Sequence, residues 1–256
     1  VKTFIDFNSD MGENFGAWVI GDGVDSEIVK YISSANIACG FHAGDPNIME
    51  QTVLSAKANN VGIGAHPGFR DLVGFGRRLI KEEPKTLVND VLYQLGALKE
   101  MASLHGETLS HVKLHGALYL HSVLDEGFAY ALVEALQKQN ATLPIIGFSS
   151  KNCYLQKAAT EAKHPYIKEL LVDRDYDDDG NFVLVRKARA YTPSEVKDKV
   201  ELALKKGCIK SVTGKEIDID FETMCIHSDT IGCLSLIKAV KEALDDNNIT
   251  IRRATC

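Results

Sequence analysis

The sequence predicts an α/β fold, a (β/α) barrel of about seven strands; an open doubly wound sheet is the alternative that periodicity leaves standing. Three observations predict it. Short apolar runs alternate with amphipathic stretches roughly every 30–40 residues, which demands a mainly parallel sheet with helices outside it. The length, 256 residues, suits one closed barrel. No linker rich in proline, serine or glycine divides the chain, so residues 1–256 read as a single domain.

Each element has its own signal. Residues 3–8, TFIDFN, read as the first strand, followed by a glycine-rich loop. Asp25 is placed to cap a short helix over 26–34. A second strand covers 35–39, and Asp45 with Pro46 starts a helix that stops near Asn59-Asn60. A third strand covers 61–65. The spacing of Leu87, Val91, Leu95, Leu98 and Ala102 predicts a helix over 84–105, closed by Gly106. Strands follow at 111–115, 144–148 and 168–172, separated by helices at 125–139 and 152–163. Thr192-Pro193-Ser194-Glu195 is a capping box that opens a helix over 193–206. Short strands at 209–212 and 223–227, a helix over 230–246 and the run ITIRR complete the pattern.

Composition narrows the function classes. The chain is 45% hydrophobic and 25% charged, with net charge −6. It has no basic stripe of the kind nucleic-acid binders carry. No window approaches the ~18 apolar residues of a membrane span, and residues 1–10 hold no apolar stretch suited to a signal peptide. Cysteines 39, 153, 208, 225, 233 and 256 form no CxxC pair, and three of them lie in apolar surroundings. They read as reduced, and the protein as cytoplasmic.

The strand ends carry the functional signal. Asn8, Asp10 and Glu13 end the first strand, and His42 and Asp45 the second. His66, Arg70 and Asp71 follow the third, and Lys113 and His115 the fourth. Ser149 and Ser150 follow the fifth, Asp173 and Arg174 the sixth, and His227 and Asp229 the last. In a parallel barrel these ends open on one face, where catalytic groups from several strands gather. A lone histidine after a strand is more often a structural group than a ligand; four of the eight in equivalent loops carry more weight. His105 at a helix end, His111 at a strand start, His121 in a polar turn and His164 before a proline read as structural or surface groups.

Several motifs fail. DYDDDG (175–180) begins like a calcium loop, but its twelfth position is Arg186, where a bidentate Glu is required. No phosphate loop, G-x-S-x-G elbow or H-E-x-x-H occurs.

The segments DFNSDMGENFG (6–16), SANIACGFHAGD (34–45), GIGAHPGFRD (62–71), FGRR (75–78) and HVKLHGALY (111–119) together resemble the LamB/YcsF family, the lactam-utilisation proteins or A subunits of 5-oxoprolinase. DRDYDDDG (173–180), SVTGK (211–215) and CIHSDT (225–230) extend the match over nearly the whole chain. The resemblance implies a barrel related to glycoside hydrolase and deacetylase folds. It also implies a role in the ATP-dependent opening of 5-oxoproline to L-glutamate alongside the B and C partner subunits. ATP is then the implied cofactor, handled with those partners, and a small cyclic amide the substrate. The motif positions carried over are Asp6, Asn8, Asp10, Glu13, His42, Asp45, His66, Lys113, His115, Asp173, Arg174, His227 and Asp229. Asp10, His42, His66, Lys113, His115 and His227 are assigned to catalysis; Asp6, Asn8, Glu13, Asp45, Arg174 and Asp229 are assigned to substrate.

The chain departs from the family at Leu114, where proline is usual, at Leu120, at Ser228 and at Ile231. The stretch 182–191 fits loosely. Asp10 or His66 is the expected base, and Lys113 and Arg174 the expected counter-charges. Gly40, Ala43, Gly44 and Gly64 are expected to let backbone amides approach the ligand. Should a divalent metal be held, Asp10, His42 and His66 are the expected ligands. The rival readings are a metal-dependent deacetylase-like hydrolase and a non-catalytic lactam-binding subunit. A homo-oligomer is compatible with the sequence.

Overall fold

A computed structural model of the chain describes residues 2–183 and 189–254. Residues 184–188, with Arg186, and Cys256 lie outside the described residues. The elements in chain order are β1 (Phe4–Met11), α1 (Asp25–Ile28), β2 (Ser34–Ala38), α2 (Pro46–Ala58), β3 (Gly62–His66), α3 (Pro84–Leu104) and β4 (Leu109–Val112). There follow α4 (Gly116–Leu124), α5 (Glu126–Asn140), β5 (Ile145–Phe148), α6 (Tyr154–Glu161), β6 (Tyr166–Leu171), α7 (Pro193–Lys206) and β7 (Cys208–Lys210). The last are β8 (Glu216–Asp218), β9 (Thr223–Cys225), α8 (Cys233–Asp246) and β10 (Thr250–Ile251).

Seven parallel strands, β1 to β6 and then β9, pair in sequence, and β9 pairs back onto β1 through Asp6, Phe7 and Asn8. That last ladder closes the barrel and excludes the open sheet. β10 adds to β1 beside the ring, at Phe4 and Ile5. β7 and β8 form an antiparallel hairpin outside it, so the strand expected at 209–212 is not a barrel stave.

Alternation along β1 assigns the two faces. Ile5, Phe7 and Met11 join the buried apolar core, whereas Asp6, Asn8 and Asp10 bond across to other strands. The interior is therefore polar in its upper layers. Asn8 donates to Glu169 and Thr223, Asn36 donates to Asn8 and Asp10, and His111 meets Asn36 Oδ1 at 2.7 Å. Gly64 makes this filling fit: a Cβ there would lie 1.9 Å from His111 Nε2. Its role is to admit an interior imidazole, not to bring an amide to a ligand.

Local signals govern most helix ends. Asp45 caps α2 by accepting from Asn47 N and Ile48 N, and Thr192 and Glu195 form the reciprocal capping box of α7. Three expectations are corrected. The helix read at 26–34 is only the four-residue α1, because the chain must turn through 29–33 to enter β2. Asp25 does not cap it; its carboxylate accepts from Gly12 N at 2.8 Å and so ties down the loop after β1. His121 lies within α4, a helix that starts at the strand end without a side-chain cap and so gave no start signal.

Candidate active site

β1 ends in Asp10 and continues into a loop that carries Glu13; β2 leads to His42, β3 ends in His66, and the segment after β4 carries Lys113 and His115. β6 leads to Asp173 and Arg174, β9 to His227 and Asp229. These side chains meet at the C-terminal mouth of the barrel, around a narrow cavity of about 40 Å³. Asp10, His66, Arg77, Lys113, His115, Arg174 and His227 line it, with Leu114, Tyr119, Leu171 and Phe182 as further walls.

Two sub-clusters share Asp10. The first is His66, His115, His42 and Glu13. His66 Nε2 lies 3.2 Å from Asp10 Oδ2, His115 Nδ1 lies 3.0 Å from His66 Nε2, and His42 Nε2 lies 3.0 Å from Glu13 Oε1. The His42 and His115 rings stack with centroids 3.6 Å apart. Gly76 backs both residues, since a Cβ there would sit 2.7 Å from the His115 ring and 2.7 Å from the His42 Cβ. One ligand atom from each of Glu13, His42, His66 and His115 lies within 4.8 Å of the others, so these four groups could hold a metal ion.

The second sub-cluster is a dyad. His227 Nδ1 meets Asp173 Oδ1 at 2.8 Å, leaving Nε2 turned toward Asp10 Oδ2 at 3.7 Å. Asp173 also accepts from His227 N, from Thr230 Oγ1 and from Arg174 Nη1. At the mouth, Arg77 Nη2 pairs with Asp229 Oδ2 at 2.7 Å, and Arg174 Nη2 lies 3.7 Å from Asp229 Oδ1.

The electrostatics follow from burial. Burial alone would raise the Asp10 pKa, but neighbouring His66, Lys113 and His227 overturn that and hold it well below the usual carboxylate range. Asp173 behaves alike: burial works against its charge, and Arg174 and His227 more than offset it. Lys113 loses by burial and gains more from Asp10, Cys225 and Glu169, so it stays charged. Its Nζ lies 3.1 Å from Asp10 Oδ1 and 2.8 Å from Glu169 Oε1, so its charge is directed at protein carboxylates. Burial and the neighbouring His115 push His42 down to about 3, which keeps it neutral.

Not every motif residue reaches the cavity. Asp6 is buried below it, accepting from Ser33, Ser34 and Thr223. Asn8 belongs to the interior network. Asp45 spends its side chain on the start of α2 and on Gly16 N. Gly40 N and Gly44 N both donate to main-chain carbonyls, of Ala43 and Asn14, and are engaged within the loop. Of the departures, Leu114 is a cavity wall, Leu120 packs against the core, Ser228 abuts Gly21 and Ile231 is exposed at the rim.

Four participants carry no clear signal in the sequence. Glu169 lies inside β6 and looked like an ordinary strand polar residue; it pairs with Lys113 and accepts from Tyr119 at 2.9 Å. Tyr119 sits on the unrecognised α4. Arg77 was visible only as part of FGRR. Phe182 is brought in by the acidic loop: Asp178 accepts from Ser211 and Thr213, which explains why DYDDDG and SVTGK belong together.

A closed parallel barrel that gathers carboxylates and histidines from most of its strand ends at one mouth defines a barrel enzyme of the hydrolase class. The family model described as the LamB/YcsF family matches residues 5–256, and the chain belongs to that family. It is 50% identical over 248 residues to the 5-oxoprolinase A-subunit 1 of Pseudomonas putida, covering 97% of this chain and 98% of that one. It is 49% identical over 250 residues to the 5-oxoprolinase A-subunit 1 of Pseudomonas aeruginosa, covering 98% of each. The crystal structure of the lactam utilization protein from Thermus thermophilus superposes with a TM-score of 0.88 at 35% identity, over 97% of this chain and 99% of that one.

Proposed function

We propose that this chain is the A subunit of an ATP-dependent 5-oxoprolinase and holds the lactam while its ring is opened to L-glutamate. Its near-complete match, at about 50% identity, to chains of that name carries the reading. The cavity gives it a physical form. Leu114, Leu171 and Phe182 offer apolar walls for the ring methylenes, and Arg77 and Arg174 stand at the mouth, where a substrate carboxylate or phosphate would compete with Asp229 for them.

A lactam carbonyl is a poor electrophile because amide resonance protects it. Transfer of the γ-phosphoryl of ATP to the lactam oxygen makes the carbon electrophilic. Water adds, the C–N bond breaks as the ring nitrogen takes a proton, and the resulting acyl phosphate is hydrolysed by a second water to carboxylate and phosphate. His227 Nε2 is the proposed base and then acid; Asp173 fixes its tautomer, and Asp10 stabilises the imidazolium. Lys113 acts through Asp10, by keeping it ionised. A divalent ion bound beside Asp10 would supply Lewis-acid polarisation. The sequence has no phosphate loop, so ATP is assigned to the assembly with the B and C partner subunits. The chain works as one domain. Its five described free cysteines are all buried, which supports a reducing, cytoplasmic setting. Among the described residues, no helix is long and apolar enough to cross a membrane.

The test is glutamate release from 5-oxoproline and ATP by this chain alone, by the partners alone and by the mixture. Glutamate is expected only from the mixture, and its rate should fall by about 10²–10⁴-fold with Asp10→Asn or His227→Ala. Undiminished turnover in both variants, or turnover by the partners alone, would overturn the assignment. Release of acetate from acylated amines by this chain alone would favour the deacetylase reading instead.

A further inference from the structure

Two imidazole nitrogens face each other in this site, and neutral rings would leave no proton between them. His66 Nδ1 lies 2.8 Å from the Lys113 carbonyl oxygen, and His115 Nε2 lies 2.8 Å from that of Phe75. A carbonyl only accepts, so each neutral ring carries its proton on that side. The opposite nitrogens, His66 Nε2 and His115 Nδ1, are then bare lone pairs, and they stand 3.0 Å apart. Glu13 Oε1 adds a third acceptor, 3.2 Å from His115 Nδ1 and 3.8 Å from His66 Nε2. Asp10 Oδ2 adds a fourth, 3.2 Å from His66 Nε2. Acceptors converging without a donor repel one another unless a cation lies among them.

His42 plays a different part. Its Nδ1 is buried without a partner, against Gly68, so a proton there would go unsatisfied. The proton belongs on Nε2, donated to Glu13. Charge points the same way. Five carboxylates, Asp10, Glu13, Glu169, Asp173 and Asp229, face three permanent cations, Lys113, Arg77 and Arg174.

We propose that Glu13, His66 and His115 bind one divalent transition-metal ion of the Zn²⁺ or Co²⁺ class, with Asp10 as a further donor and His42 as the residue that positions Glu13. This replaces the set Asp10, His42 and His66 expected from the sequence. Two imidazoles and a carboxylate suit such ions, and both imidazoles are oriented by main-chain carbonyls behind them, as metal-bound histidines commonly are. Asp10, His66 and His115 border the cavity, so an ion could reach them from it. The proposal stands apart from the lactam reading, because its test reads metal and not turnover.

The full chain, stripped with a chelator and dialysed, is titrated with Co²⁺ while visible d–d absorption, heat and melting temperature are followed. One Co²⁺ per chain, displaced by Zn²⁺, with a raised melting temperature is expected. Affinity should fall at least ~100-fold in Glu13→Gln and His115→Ala, about tenfold in His42→Gln, and stay unchanged in His227→Ala. Circular dichroism shows which variants fold, and Glu13→Gln, which keeps the side-chain volume, decides if His115→Ala does not. Absence of d–d bands and of any melting shift in the parent chain would mean the cluster holds a shared proton, and the proposal fails. It fails equally if Glu13→Gln binds Co²⁺ as the parent does, or if His227→Ala abolishes binding.

Discussion

Asp173 and Asp25 are both carboxylates tied by hydrogen bonds, yet their surroundings send them in opposite directions. Asp173 is held ionised by Arg174 and His227 and fixes the His227 tautomer. Asp173→Asn keeps the size and removes that control, so turnover should fall by about 10²–10⁴-fold with KM little changed, and the melt should fall too because Arg174 loses its buried partner. Steady-state kinetics of the assembled enzyme check it. Asp25 is pushed up to about 6, mainly by burial, with Glu13 nearby adding to the cost of charge and the Gly12 amide opposing it. A folded pKa above the unfolded one contributes stability that is complete below pH ~4 and is lost as pH rises through 6. Asp25→Asn retains an acceptor for Gly12 N without the charge. It should therefore be more stable than the parent by about 1–2 kcal/mol at pH 7–8, with the gap vanishing near pH 4. Urea melts at both pH values read the difference; an equal gap at each would contradict the burial argument.

Among the elements, β3 shows most clearly how a strand can be shaped by what it must admit. It reads as an apolar run, yet Gly64 faces the barrel interior and receives the His111 ring. Gly64→Ala should destabilise the fold by about 3 kcal/mol through overpacking, measured by thermal or chemical denaturation. A near-neutral result would mean that His111 can move aside. The loop after β6 teaches a related point. Its acidic run looks like a metal loop in one dimension, but Asp177 accepts from Asn181 N and Asp179 N, and Asp178 from Ser211 and Thr213. Those carboxylates are spent on shaping the turn that carries Phe182 to the cavity.

Across the whole molecule, the barrel is held from within by a polar plug. Lys113 joins Asp10 of β1 to Glu169 of β6 and also reaches Asn8 and Cys225. Lys113→Met would leave two buried carboxylates without their cation and should cost about 3–5 kcal/mol. Combining it with Glu169→Gln should recover part of that loss, which a double-mutant cycle of unfolding free energies measures. Acid should unfold the protein for a related reason. Asp173 and Asp175 have folded pKa values below their unfolded ones, so their stabilisation is present above pH ~4 and is lost as pH falls below it toward the folded values. A stability profile flat between about pH 2 and 4, below the window in which Asp25 titrates, would contradict this.

Most of the order of strands and helices, the caps at Asp45 and Thr192, and the habit of ending strands in Asp, His and Lys are legible in the sequence, while α4 and the β7–β8 hairpin are not. The legible features are local: periodicity, a cap three residues from its amide, a turn between two runs. Which residues share a tautomer or a charge was decided only by the closed barrel. Glu169 and Tyr119 give no local sign, because their partners are 56 and 50 positions away along the chain. Asp6, Asn8 and Asp45 carry the same motif signal as Asp10, and only strand depth and helix direction separate a residue at the mouth from one spent beneath it. Hydrogen bonds to distant carbonyls, at Phe75 and Lys113, fix where two imidazole protons lie, and no one-dimensional pattern encodes that.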